Sequence, residues 1–185
     1  MRFGARHSAH HSFGLLIHGG EKVAGQRRDN IRPENKASRG AHFRRQLVMS
    51  SVQDDFRSRL QATSSKATFN TWLGLEVDKA SEGEVELSLP WRNEFGQYSG
   101  YLHASIVSGL IDTACGFAAS TMSGRVLASQ LSVRFLRPAI ADVFVVRGKV
   151  IKPGRQQVFA FGELFARDAP EKLIAVGDAI LVPIT

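Results

Sequence analysis

Cysteine is almost missing from this chain: Cys115 is the only one in 185 residues. An internal disulfide is therefore excluded, which suits a reducing compartment and sets the expectation of a cytoplasmic protein. A catalytic thiol would need a base beside it; Cys115 sits in an apolar stretch that offers none, so it reads as a small buried hydrophobe. Histidine is scarce where it would count. Five of the six (His7, His10, His11, His18 and His42) fall in the first 48 residues. The close trio His7, His10 and His11 has no Cys or carboxylate nearby to complete a metal site. Long apolar runs are lacking too: Phe13-Gly-Leu-Leu-Ile17 is too short for a membrane span or a signal-peptide core. Metal, nucleotide and flavin motifs are absent, so no cofactor is expected.

Charge imbalance is missing from most of the chain. The formal charge is +7, but residues 1–48 hold 10 Lys/Arg against 3 Asp/Glu, and residues 49–185 hold 14 of each. The basicity belongs to an extension and not to the domain, so no nucleic-acid partner is expected for the domain. Residues 1–48 show no sustained period and read as a disordered extension, compatible with a transit peptide or a weak anion-binding arm. The preferred reading is that the functional protein begins at Met49. Residues 49–69 then form an amphipathic helix and linker, with Val52, Phe56 and Leu60 at four-residue steps. Residues 70–185 form the domain.

The stretch from Gly100 to Gly124 organises that domain. Ile106, Val107, Leu110, Ile111, Ala114, Phe117 and Ala118 recur at helical spacing, and small or apolar residues fill most other positions. Such a helix is buried. Its one charge is Asp112, and Ser105, Ser108, Asp112 and Gly116 form a thin polar stripe. Burying an unpaired carboxylate costs several kcal/mol or more, so Asp112 calls for either a structural partner or a chemical role. Around this helix the sequence predicts strands. Leu73–Val77 leads, followed by Glu84–Leu89 with Val85, Leu87 and Leu89 inward and Glu84, Glu86 and Ser88 outward. Four more follow at Val126–Phe135, Val143–Ile151, Gln157–Arg167 and Leu173–Val182, with Lys152-Pro-Gly-Arg155 read as a type II hairpin turn. Short connections imply antiparallel neighbours: an α+β fold with one helix against a curved sheet of about six strands, whose open edges favour dimerisation.

These residues resemble a hotdog-fold acyl-CoA thioesterase of the PaaI-like, phenylacetate-degradation kind. The resemblance covers about residues 70–185. The family pattern Gly-x-x-His-Gly-Gly, followed by an apolar helix with an Asp nine residues after the His, is met by Gly100-Tyr-Leu-His103-Ala104-Ser105 and Asp112. Phe135-Leu-Arg-Pro138-Ala139 matches the F-x-R-P-A strand end, and Gly148-Lys-Val150 with Pro153-Gly154-Arg155 matches the hairpin after it. The sequence departs from the pattern where Ala104 and Ser105 replace the two glycines. The resemblance implies thioester hydrolysis with Asp112 as base or nucleophile and the backbone N–H of Ala104 as oxyanion donor. It further implies Gln97 as an amide that orients substrate or water, with Asn93 as a second claimant, and His103 holding the loop against the helix start. Ser105 and Gly116 would border the acyl group, Ser129 would be the hydroxyl of the following strand, and Arg155, with Arg125, Arg137 and Lys152, would meet CoA phosphates. Coenzyme A enters only as part of the substrate.

The physical chemistry runs parallel. Unpaired N–H groups at a helix start, helped by the helix dipole, suit a developing oxyanion. Eight residues of helix separate Ala104 from Asp112 by about 12 Å, so one helix cannot bring both to one carbonyl. The family's answer is an antiparallel dimer or a dimer of dimers. Two other classes compete: a non-catalytic acyl-CoA-binding module, and a hydratase or dehydratase, which the domain's lone His103 disfavours.

Overall fold

The structure, a computed structural model, describes residues 36–184. Helix α1 spans Lys36–Ser64. It is longer than the predicted Val52–Ala62 helix and passes through residue 48 without a break, which corrects the disordered reading for residues 36–48. Arg, Lys, Ala, Gln and Leu are strong helix formers, and no proline interrupts them after Pro33. The rest of the basic extension, with His7, His10, His11 and His18, lies outside the described residues. Phe56 and Leu60 turn one face of α1 onto the core.

A short helix, α2 (Thr68–Leu73), follows. The predicted strand Leu73–Val77 is displaced to β1 (Glu76–Ser81), because Gly74 adopts φ 71° and caps α2, its N–H reaching the carbonyls of Asn70 and Thr71. That left-handed conformation is open to glycine without a Cβ penalty. Strand β2 (Glu84–Pro90) carries Val85, Leu87 and Leu89 inward as predicted. Ser88 is buried and not solvent-facing: its hydroxyl donates to Asp78, whose other oxygen accepts from Arg167.

Helix α3 (Ala104–Ser123) is the central helix, with eight residues from Ile106 to Ala119 buried. Four strands follow it: β3 (Val126–Phe135), β4 (Val143–Lys152), β5 (Val158–Ala166) and β6 (Ala169–Pro183). The six form one antiparallel sheet in the order β1-β2-β4-β5-β6-β3. The β4–β5 connection is not the expected type II turn, since Gly154 has no positive φ. Glycine is needed there because a Cβ would stand 2.4 Å from the Gln157 carbonyl oxygen. The β5–β6 turn is tighter than predicted: Pro170 lies inside β6, near pairing irregularities at Phe165 where its missing N–H does not break the ladder.

Three glycines explain how closely α3 sits on the sheet. Gly148 of β4 pairs with Gly162 of β5, which pairs with Gly177 of β6, forming a furrow across three strands. A Cβ on Gly148 would lie 2.2 Å from the Ala114 carbonyl oxygen, one on Gly162 2.9 Å from Ile111 Cγ2, and one on Gly177 2.8 Å from the same methyl. The furrow therefore grips α3 through Ile111 and Ala114, and it leaves Asp112, between them in sequence, on the side away from the furrow. A central helix enclosed by one curved antiparallel sheet is the hotdog fold. Strand β3 is its bare margin: Leu127, Leu131 and Phe135 are 60%, 37% and 54% exposed.

Candidate active site

Two segments pin the start of α3. The loop Trp91–Leu102 is anchored by Phe95, fully buried, whose carbonyl accepts the His103 N–H at 2.8 Å. The Arg92 guanidinium lies 4.3 Å from the Phe95 ring centroid and donates to the Trp72 carbonyl, fastening the loop to α2. From the other side the Ala139 carbonyl accepts the Leu102 N–H at 3.0 Å, so the Pro138-Ala139 strand end holds the loop.

His103 is the N-cap of α3. Its Nδ1 accepts the Ser105 N–H at 3.1 Å and lies 2.7 Å from the Ser105 hydroxyl, while its carbonyl accepts from Ile106 and Val107. The first free N–H groups of the helix are thus consumed, with one exception. The Ala104 N–H has no acceptor among the described residues, and Ala104 is exposed.

Asp112 is half-buried on α3 and lines a groove of about 820 Å³. Its carboxylate has no hydrogen-bond or ion-pair partner among the described residues, and burial alone pushes its pKa above the ordinary carboxylate value. Gly116, one turn on, borders the same groove; a Cβ there would meet nothing within 4 Å. Cys115 is turned toward the glycine furrow, where a Cβ on Gly162 would lie 3.4 Å from its Sγ. Burial, reinforced by the charges of Asp112 and Asp178, pushes its thiol up to about 12, which removes it as a nucleophile at neutral pH.

The other candidates scatter. Gln97 uses its Oε1 to accept the Ser99 N–H, capping its own turn, which leaves the side-chain N–H₂ as its outward donor. Asn93 borders a separate depression with Trp91, Gly100 and Asp142. Ser129 is the extra residue of a bulge in β3, and its hydroxyl donates to the Ile180 carbonyl at 3.1 Å. Its neighbours Leu127 and Ala128 border the Asp112 groove instead. Arg155 is exposed on the β4–β5 connection, whereas Arg125 stands at the groove. Sequence reasoning missed the groove's far wall, built by Phe56, Leu60 and Thr63 of α1 with Asn70 of α2. The only signal was the apolar stripe Val52-Phe56-Leu60, which does not reveal what it faces.

Fold and site together define a hotdog protein with an unpartnered acid on its central helix. The sequence profile of the thioesterase superfamily matches residues 99–172. A Halobacterium salinarum protein provisionally named an esterase is 31% identical over 137 residues, covering 67% of this chain and 89% of the relative. The crystal structure of a thioesterase family protein from Silicibacter pomeroyi is 34% identical and superposes with a TM-score of 0.65 over 69% of this chain and 96% of that one. A thioesterase-like protein from Streptococcus pneumoniae, solved with coenzyme A, shares the fold at 17% identity and a TM-score of 0.56, covering 60% of this chain and 85% of that one. This chain belongs to the thioesterase superfamily, and its general chemistry is hydrolysis of an ester or thioester.

Proposed function

We propose that this protein is an acyl-CoA thioesterase of the PaaI-like kind, working as a homodimer or a dimer of dimers. The observation that carries the proposal is the pairing of two unmet groups on one helix: the Asp112 carboxylate without a partner and the Ala104 N–H without an acceptor. Half-burial of a lone carboxylate is costly and persists where the group has work to do. The coenzyme A of the Streptococcus pneumoniae neighbour supports a CoA thioester as the substrate.

In this reading the Ala104 N–H of one protomer polarises the thioester carbonyl, and the dipole of α3 favours the negative charge that develops there. Asp112 of the other protomer takes a proton from water as the water attacks the carbonyl carbon. The tetrahedral intermediate collapses, the C–S bond breaks, and CoA leaves as a thiolate that is then protonated. Attack by Asp112 itself through a mixed anhydride is the covalent variant. A pKa raised by burial suits the general base, bringing it nearer neutral pH. His103 holds Ser105 and the loop, and the Gln97 amide, whose side-chain N–H₂ is left as a donor, is the first loop claimant for orienting water, with Asn93 the second. Arg125 at the groove is better placed than Arg155 to meet CoA phosphates. The apolar margin of β3 supports pairing with a second copy. No described helix is long and apolar enough to cross a membrane.

A second reading, an acyl-CoA-binding module without turnover, is favoured by one feature: Ala104 and Ser105 each bring a Cβ to the carbonyl site. The test is free-thiol release from short, medium, long and aryl acyl-CoA by wild type and Asp112→Asn, with sedimentation run beside it. Turnover at least a hundredfold lower in a dimeric variant supports the thioesterase. Equal turnover sinks the role of Asp112. Binding without turnover selects the module.

A further inference from the structure

Past Asp112, the groove continues between two helices. On α3 it is bordered by Asp112, Thr113, Gly116, Phe117, Ser120 and Thr121, one helical face running about 13 Å at the standard rise. On α1 it is bordered by Phe56, Arg59, Leu60 and Thr63, whose spacing of three, one and three likewise defines one face.

The polar names in this lining are misleading. The Ser120 hydroxyl donates to the Phe117 carbonyl at 2.8 Å, and the Thr121 hydroxyl donates to the Ala118 carbonyl at 2.7 Å while accepting the Gly83 N–H. Thr63 donates to the Arg59 carbonyl at 2.9 Å, and the buried Asn70 amide donates to Ser64. The Ser120, Thr121 and Thr63 hydroxyls are each turned onto their own helix. Beyond Asp112 the groove offers a ligand methyl, methylene and aromatic surface from Phe56, Leu60, Phe117, Val126 and Leu181, with the exposed guanidiniums of Arg125 and of Arg59, itself ion-paired to Asp55, in the same lining. Gly116 supplies the opening, since no atom lies within 4 Å of where its Cβ would stand.

We infer that this α1–α3 groove holds the acyl group, that its occupant is an unsubstituted medium alkyl or aryl acyl chain, and that Phe56 of α1 sets the length accepted while Gly116 admits it. The inference rests on the thioesterase reading for the place of the reacting carbonyl at Asp112. A hydroxylated acyl end would forgo hydration against that apolar surface, and an anionic one would also meet the Asp112 carboxylate, with Arg59 held by Asp55 and Arg125 assigned to the CoA phosphates. Each methylene buried is worth about 0.8 kcal/mol, or about fourfold in Kd, until the groove is full.

The test does not need turnover. Thioether analogues of acyl-CoA carrying 2, 4, 8 and 12 acyl carbons, with a succinyl analogue, are titrated calorimetrically into wild type, Gly116→Leu, Phe56→Ala and Phe56→Trp. Turnover of the matching thioesters is measured in parallel. In wild type, affinity is expected to rise about fourfold per methylene and then level off. Gly116→Leu should cut the ratio of eight-carbon to two-carbon affinity at least tenfold. Phe56→Ala should move the plateau to longer chains and Phe56→Trp to shorter ones, the pair guarding against a fault of folding in either. An unchanged chain-length profile in all three variants overturns the groove assignment. A succinyl analogue bound as tightly as the eight-carbon one overturns the apolar substrate class. Binding that follows the expected profile without any turnover leaves the groove standing and rejects the hydrolase reading.

Discussion

The glycine furrow predicts opposite signs for one chemical change made in two places. In Gly148→Ala the new methyl would stand 2.2 Å from the Ala114 carbonyl oxygen, where ordinary contact begins at 3.4 Å. The obstacle is helix backbone and cannot swing aside, so α3 must retreat by about 1 Å. Overpacking of this kind costs about 1–3 kcal/mol, and a backbone clash belongs at the upper end. For a chain of this size about 3 kcal/mol lowers Tm by about 6–12 °C. Because Asp112 rides on the same helix, a 1 Å displacement should also lower kcat by up to about a hundredfold. In Gly116→Ala the methyl meets open space, and alanine is better than glycine in a helix by about 1 kcal/mol, so Tm should rise by about 2–4 °C. Thermal unfolding followed by circular dichroism, at one fixed protomer concentration, reads both. A Gly148→Ala protein melting within 2 °C of wild type, or two variants shifting together, would refute the reasoning.

Two further outcomes follow from the site. Asp112 has its pKa raised by burial, so the folded state prefers the acid form: its contribution is fully present below the unfolded carboxyl value of about 3.9 and is lost as pH rises through the raised folded value. Asp112→Asn should therefore melt higher than wild type at pH 8, and the gap should close in acid; a gap constant with pH would contradict the burial argument. Arg92→Ala loses both the carbonyl of Trp72 and the face of Phe95, and should speed amide exchange across residues 93–103 at a cost of about 1 kcal/mol. Arg92→Lys should rescue little, since a lysine lacks the planar group that stacks, and full protection in either variant would show the clamp to be idle.

How far the sequence could be read depended on whether the signal was local. Helix α3 was legible because its apolar residues cover nearly every side, and β2 because Val85, Leu87 and Leu89 alternate without exception. The start of β1 was misread because Leu73-Gly-Leu-Glu-Val77 looks like a strand, and only the left-handed φ of Gly74 reveals a helix cap. Pro153-Gly154 suggested a turn type by composition, but the contact that requires glycine comes from Gln157, across the loop. Asp112 stood out as a charge in an apolar helix. That no side chain answers it, and that Phe56 and Thr63 face it across a groove, are facts of tertiary packing that periodicity does not carry. The same holds for Ser129: one bulged residue turns its hydroxyl onto the Ile180 carbonyl.

The row Gly148-Gly162-Gly177 also bears on how such a protein can diverge. Only hydrogen fits at all three positions, so the seat of the central helix has no neighbouring sequences through which to drift in small steps. The walls around the acid are built differently, from α1, α2 and the margin of β3, where a side chain can grow or shrink without touching the seat. On the proposal that this groove takes the acyl group, selection for a new one would fall on residues such as Phe56, Leu60 and Leu127, while the furrow stayed fixed. Libraries meant to redirect this scaffold should be placed on those walls and should leave the three glycines alone.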